Sequence, residues 1–153
     1  MDYLDKEDII GFNKETIERH GGNFVPPFNL LKEAALDYLV EVVEHGELFG
    51  EAMYPTLHQK AAIYLYNICQ NHISTDGNKR TALNAMDTFI RLNGYALKKE
   101  LKPVYKNNTI SISSNLPDTR NAVLEQFILE VASGQHSLEL VTNWLKLNTE
   151  KID

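Results

Sequence analysis

The chain has 153 residues, of which 43% are hydrophobic and 24% charged. That is the make-up of one ordinary globular domain able to bury roughly 70% of the surface its unfolded form exposes, and it excludes a fibrous or disordered chain. A net charge of −6 argues against broad electrostatic binding to nucleic acid. The lone Cys69 excludes an intrachain disulfide, a thiolate zinc site and a CxxC redox site.

The N-terminus "MDYLDKEDII" is acidic and has no apolar signal core. No stretch approaches the roughly 18 apolar residues of a membrane span, so the cytoplasm is the expected location, with no membrane contact. Asp5 suits an N-cap and Gly21-Gly22 a left-handed stop, which predicts a first helix over 5–20. After the extended "FVPPF", Asn29 is placed to cap a second helix, "LLKEAALDYLVEVVEH". Next comes "GELFGEAMYP", a glycine-containing segment with exposed apolar residues. Thr56 and Gln59 then form a T-x-x-Q capping box at the start of "LHQKAAIYLYNICQN". This third helix is apolar from Ala61 to Cys69, so it belongs at the centre of a bundle, with Cys69 a small core side chain. "NKRTALNAMDTFIRLNGY" resumes the helical period through Leu83, Met86, Phe89 and Ile90 and stops at Asn93-Gly94. "TISISS" alternates as a short hairpin strand does, between Pro103 and Pro117, giving a small β-hairpin near 102–116. "TRNAVLEQFILEVASG" and "SLELVTNWLKLN" read as two closing helices, the latter capped by Ser137 and burying Trp144. The expectation is one mostly helical domain over residues 1–153.

Between helices three and four lies "NHISTDGNKRTAL". Asp, Gly and Asn are good turn formers, so a plain connection would account for "TDGN". Lys79 and Arg80, however, sit in a first turn, where acidic residues are preferred and cations oppose the helix macrodipole. An anion is therefore expected at this place. A helix starting at Asn78 directs free N–H groups at the loop and, with the Gly77 turn, forms a phosphate-sized anion site. Arg80 can bind phosphate oxygens bidentately, Lys79 adds a point charge and Asn78 a further donor. Asp76 offers one hard oxygen of the kind that holds Mg²⁺ beside nucleotide phosphates. His72 has the side chain suited to accept a proton from an attacking hydroxyl near neutral pH.

"HISTDGNKRTALNAMDTFIRLNGY" resembles the signature of the Fic/Doc superfamily, H-x-F-x-[DN]-[GA]-N-x-R. Lys79, at a position that is glycine in most Fic proteins, marks the Doc (death-on-curing) branch. "YLDKEDIIGFNKETIERHGG", "HQKAAIYLYNICQNH" and "SLELVTNWLKLN" resemble that branch's N-terminal, pre-motif and closing helices. The resemblance implies an all-α helical bundle with the motif loop between two central helices. It also implies a general base at His72, a magnesium ligand at Asp76, and ATP phosphate binding by Gly77, Asn78, Lys79 and Arg80. Lys79 is associated with presenting the γ-phosphate, which implies a protein kinase acting on a threonine of elongation factor Tu and so stopping protein synthesis. "LFGEAMYPTLH", with Tyr54, Pro55 and Thr56, occupies the place of the family's substrate-docking flap. No glutamate has Ser or Thr four residues earlier, so the inhibitory segment [ST]-x-x-x-E-[GN] is missing from this chain. Control is therefore expected in trans, from an antitoxin of the prevent-host-death type that docks on helix one or two.

Two features depart from the family pattern. Ser74 stands where the motif has an aromatic, and losing a buried Phe typically costs about 3–5 kcal/mol. "KPVYKNNTISISSNLPDTR" is longer than the connection expected in a compact Doc protein. Two other functions therefore stand beside the kinase: an AMP transferase of the Fic type, against which Lys79 speaks, and a catalytically impaired antitoxin-binding protein, which Ser74 favours.

Overall fold

Side-chain capping sets the starts of three helices in the computed structural model, which describes residues 1–104 and 120–152. The first helix, α1 (Lys6–His20), opens at a reciprocal box. The Asp8 N–H donates to Asp5 Oδ1 at 2.8 Å and the Asp5 N–H to Asp8 Oδ2 at 2.9 Å. At its far end the Gly21 N–H closes the last turn on the Ile17 carbonyl at 2.9 Å.

The second helix, α2 (Glu33–His45), begins later than Asn29 leads one to expect, and Lys32 at its N-cap makes no side-chain capping bond. Asn29 is instead fully buried with a left-handed φ of 58°. The residues after it are tied to the chain beyond α3. Leu30 pairs with Ser74 across an isolated antiparallel bridge, and the N–H groups of Leu31 and Lys32 both donate to the Ile73 carbonyl, at 2.8 and 3.0 Å. Leu30 is held in this bridge, and the Asn29 side chain is spent on the Val25 N–H and on Asn13 rather than on a helix start, which corrects Asn29 as a cap.

A two-residue turn joins β1 (Glu47–Leu48) to β2 (Glu51–Ala52), with Phe49 at φ 52° and Gly50 at φ 82°. Positive φ at both central residues matches the twist of a tight hairpin. Then α3 (Leu57–Gln70) starts at the expected Thr56–Gln59 box. Ala61, Ala62, Ile63, Tyr64 and Leu65 are all buried, and the helix packs against α2, α4 (Asn78–Leu92), α5 (Arg120–Ala132) and α6 (Leu138–Asn148). Its most extensive packing is with α4, which places the motif loop at the end of the two most central helices. Ser137 caps α6 as expected, accepting from the Leu140 N–H at 3.1 Å.

The described residues are thus mostly helical, the all-α architecture that the sequence suggests, with two small two-stranded sheets. The second sheet pairs β3 (Tyr95–Leu97) with β4 (Thr149–Lys151) in antiparallel register, Tyr95 opposite Lys151 and Leu97 opposite Thr149. Three-residue strands carry too little alternation to show in the sequence. The hairpin expected near 102–116 falls largely on residues 105–119, outside the described residues. Trp144 is fully buried, stacks on Phe127 with centroids 4.0 Å apart and donates its indole N–H to the Lys102 carbonyl at 2.8 Å. No helix among the described residues is long and apolar enough to cross a membrane.

Candidate functional site

The chain leaves α3 at Asn71 and turns at once: His72 has φ 48°, a left-handed value that shortens the exit and leaves the imidazole exposed. Ile73 and Ser74 follow, both buried. The Asn78 side chain spans the loop, its Oδ1 accepting from the Ser74 N–H at 3.0 Å and its Nδ2 donating to the Ser74 carbonyl at 2.9 Å. Two bonds to the backbone of one residue hold Ser74 in place, and one Nδ2 proton remains for a ligand.

Asp76 accepts two backbone bonds, Gly77 N–H to Oδ1 at 2.8 Å and Asn23 N–H to Oδ2 at 3.0 Å. These two bonds, the Asn23 one first, hold its carboxyl below the usual carboxylate range, and Lys79 lowers it further. The group is therefore ionised at neutral pH. Gly77 is the N-cap of α4 with φ 76°, and a Cβ on it would lie 3.1 Å from Ile17 Cδ1 and 3.2 Å from Asn13 Nδ2. Both the conformation and the close approach of α1 require glycine here. No side chain caps α4 and its first turn holds no acid, so its leading N–H groups and dipole favour an anion. Among the described residues neither Lys79 nor Arg80 forms an ion pair. Both cations are thus available to a ligand.

His72, Asp76, Gly77, Asn78, Lys79 and Arg80 line one cleft of about 830 Å³. That size lies within the usual range for small-molecule sites, about 300–1,000 Å³. Cys69 borders it too, but burial pushes its thiol up to about 12, so it stays a neutral core side chain. Among the described residues no cluster of three or more His, Cys, Asp or Glu is arranged to hold a metal. A divalent ion here fits the pattern of one carboxylate, Asp76, with ligand oxygens completing the shell.

The flap residues lie apart from the motif in the chain. The tip of the β1–β2 hairpin is Phe49, 97% exposed, rather than Tyr54, Pro55 or Thr56, which form the return into α3. Thr56 spends its hydroxyl and N–H on the capping box, and Tyr54 is half-buried, its hydroxyl pKa raised by burial and by Tyr38 nearby.

Several cleft residues lie outside the motif. From α5, Asn121, Leu124, Glu125, Ile128 and Leu129 form one wall at spacings of three and four, and His20 enters from the end of α1. Those spacings are legible in "TRNAVLEQFILEVASG", but they mark equally well a face packed on the core. Asn13 carries a clearer signal: Ile9, Asn13, Thr16 and Ile17 form the buried stripe of α1, and an amide on such a stripe needs a partner.

A family model described as the Fic/DOC family matches residues 3–90, which run from before α1 into the last turn of α4 and include the whole motif loop. A Toxin Doc from Mycolicibacterium smegmatis is 35% identical over 96 residues, covering 63% of this chain and 68% of its own. A Protein kinase doc from Escherichia phage P1 is 31% identical over 94 residues, covering 61% of this chain and 70% of its own. With the motif, the helical frame and these similarities in agreement, the chain belongs to the Fic/Doc family, and within it to the Doc branch that these two proteins represent.

Proposed function

We propose that the protein is the toxin of a toxin–antitoxin pair and transfers the γ-phosphate of ATP to a Ser or Thr hydroxyl of a translation factor such as elongation factor Tu. The observation that carries this reading is the convergence, in one cleft, of an exposed imidazole, an ionised carboxylate and two cations without an ion pair among the described residues, at a helix start with no side-chain cap. The ATP phosphates lie on the N–H groups of α4 and on Lys79 and Arg80, which offset the charge of the transferred group. His72 takes the proton of the attacking hydroxyl through an imidazole nitrogen. The hydroxyl oxygen bonds to the γ-phosphorus, the bond from that phosphorus to the bridging oxygen breaks, and ADP leaves. Asp76 would hold Mg²⁺, which would supply positive charge to offset that of the nucleotide phosphates.

Phe49 and the β1–β2 hairpin are the candidate contact for the extended target segment, since a short exposed hairpin offers backbone for strand addition. The exposed apolar side chains Val25, Phe28 and Leu31, leading into α2, are the candidate surface for a prevent-host-death-type antitoxin. The relatives' names support a toxin that acts as a kinase.

A test is label transfer in a bacterial translation extract with Mg²⁺, comparing ATP labelled on the γ- and α-phosphates, with His72→Ala as the blank. Label from the γ-position alone, on a band the size of elongation factor Tu, is the expected result. Label from the α-position makes the protein an AMP transferase. Ser74 supports a second reading, an impaired enzyme retained for antitoxin binding. Transfer absent from the wild type but gained in Ser74→Phe would establish that one.

A further inference from the structure

The loop that carries Asp76 is held from outside the motif. The Ile73 carbonyl accepts from Leu31 and Lys32, the Thr75 N–H donates to the Asn29 carbonyl at 2.8 Å, and Asp76 Oδ2 accepts from the Asn23 N–H at 3.0 Å. All of these partners belong to the connection between α1 and α2. Behind them stand two amides, Asn13 and Asn29, both 0% exposed. Asn13 Nδ2 donates to the Asp76 carbonyl at 2.7 Å and to Thr81 Oγ1 at 3.1 Å, and Asn13 Oδ1 accepts from Asn29 Nδ2 at 2.9 Å. Asn29 Oδ1 in turn accepts from the Val25 N–H at 2.8 Å.

The direction of this chain follows from its ends. A peptide carbonyl only accepts, so Asn13 must present its nitrogen to Asp76 and its oxygen to Asn29. Asn29 must then present nitrogen to Asn13 and oxygen to the Val25 N–H, which only donates. No single-atom donor or acceptor can replace either amide. We infer that Asn13 and Asn29 are positioning residues that set the orientation of the Asp76 carboxylate, and through it the Mg²⁺-dependent part of nucleotide binding. This rests on the reading of Asp76 as the metal-holding group. The fit on its other side is equally close, since a Cβ on Gly22 would lie 2.8 Å from Asp76 Oδ2. The carboxylate thus sits between the α1–α2 connection and a buried relay that never meets the nucleotide.

Two variants test it. Asn13→Asp keeps the shape but sets an oxygen against the Asp76 carbonyl, while Asn29→Gly deletes the amide and keeps a residue at ease with φ 58°. Hydrogen exchange of the free protein is read at the Thr75 and Gly77 amides, and ATP binding is read by calorimetry with and without Mg²⁺. The expected result in either folded variant is faster exchange at both amides and a loss of about tenfold in Mg²⁺-dependent ATP affinity, the usual scale for groups behind a metal ligand. Metal-free ATP binding, which Lys79 and Arg80 carry, stays unchanged. Unaltered Mg²⁺-dependent affinity in both variants overturns the inference, whether or not exchange accelerates, provided Asp76→Asn abolishes that dependence. A wild-type protein that binds ATP with no Mg²⁺ dependence overturns instead the reading of Asp76, and the inference with it.

Discussion

At the scale of single residues, the site joins side chains whose tasks differ by environment rather than by type. Asp76 is held ionised by two N–H donors, so its carboxyl protonates at lower pH in the folded protein than in the unfolded chain. Its contribution to stability is therefore present above the unfolded value, about 3.9, and is lost as pH falls through the lowered one. A thermal-melt series from pH 5 downward should show a shallower acid decline in Asp76→Asn than in the wild type. Gly77→Ala forces a side chain into a left-handed position against Ile17 and Asn13. The conformation alone costs about 1–2 kcal/mol, so urea titration should place the variant at least that much below the wild type. His72→Ala leaves these contacts intact. It should retain ATP binding by calorimetry and lose about 10²–10⁴-fold in transfer rate, the range for a general base.

At the scale of elements, caps and short pairings decide where helices begin and how the ends of the chain are tied. Thr56→Ala breaks the reciprocal box at the start of α3 and should cost about 1 kcal/mol in chemical denaturation. β4 ties the end of the chain to β3, and there His58 Nε2 meets Thr149 Oγ1 at 2.9 Å and lies edge-on to Tyr95. Burial, and then Lys146, lower the imidazole's pKa. Stability from this contact is thus present above the unfolded value, about 6.5, and declines as pH falls below it. The comparison of α2 with α3 shows which helix starts are legible. The Thr56–Gln59 box is a local exchange of bonds within four residues, so it reads directly from the chain. Asn29 has the right residue type for a cap, but its side chain meets Asn13, on a different helix, and the local signal gives way to a tertiary one.

At the scale of the whole molecule, α3 sits against four other helices, and the Trp144–Phe127 stack locks α6 to α5 on the far side of the cleft wall. Trp144→Ala should lower stability by about 3–5 kcal/mol in denaturant titration and loosen α5, the wall that carries Leu124 and Ile128. The amino-acid sequence by itself determined the helical class, the start of α1, α3 and α6, and the motif between α3 and α4, because periodicity, capping and turn chemistry act over a few residues. It also marked His72, Asp76, Lys79 and Arg80, which are contiguous and belong to one loop and one helix start. Only the tertiary structure decided what encloses them: the α5 wall, the Asn13–Asn29 relay, the Asn23 N–H on Asp76 and the bridge from Leu30 to Ser74. Those contacts join segments far apart in sequence. A buried amide or a free N–H carries no mark of its partner until packing brings the two within hydrogen-bond distance.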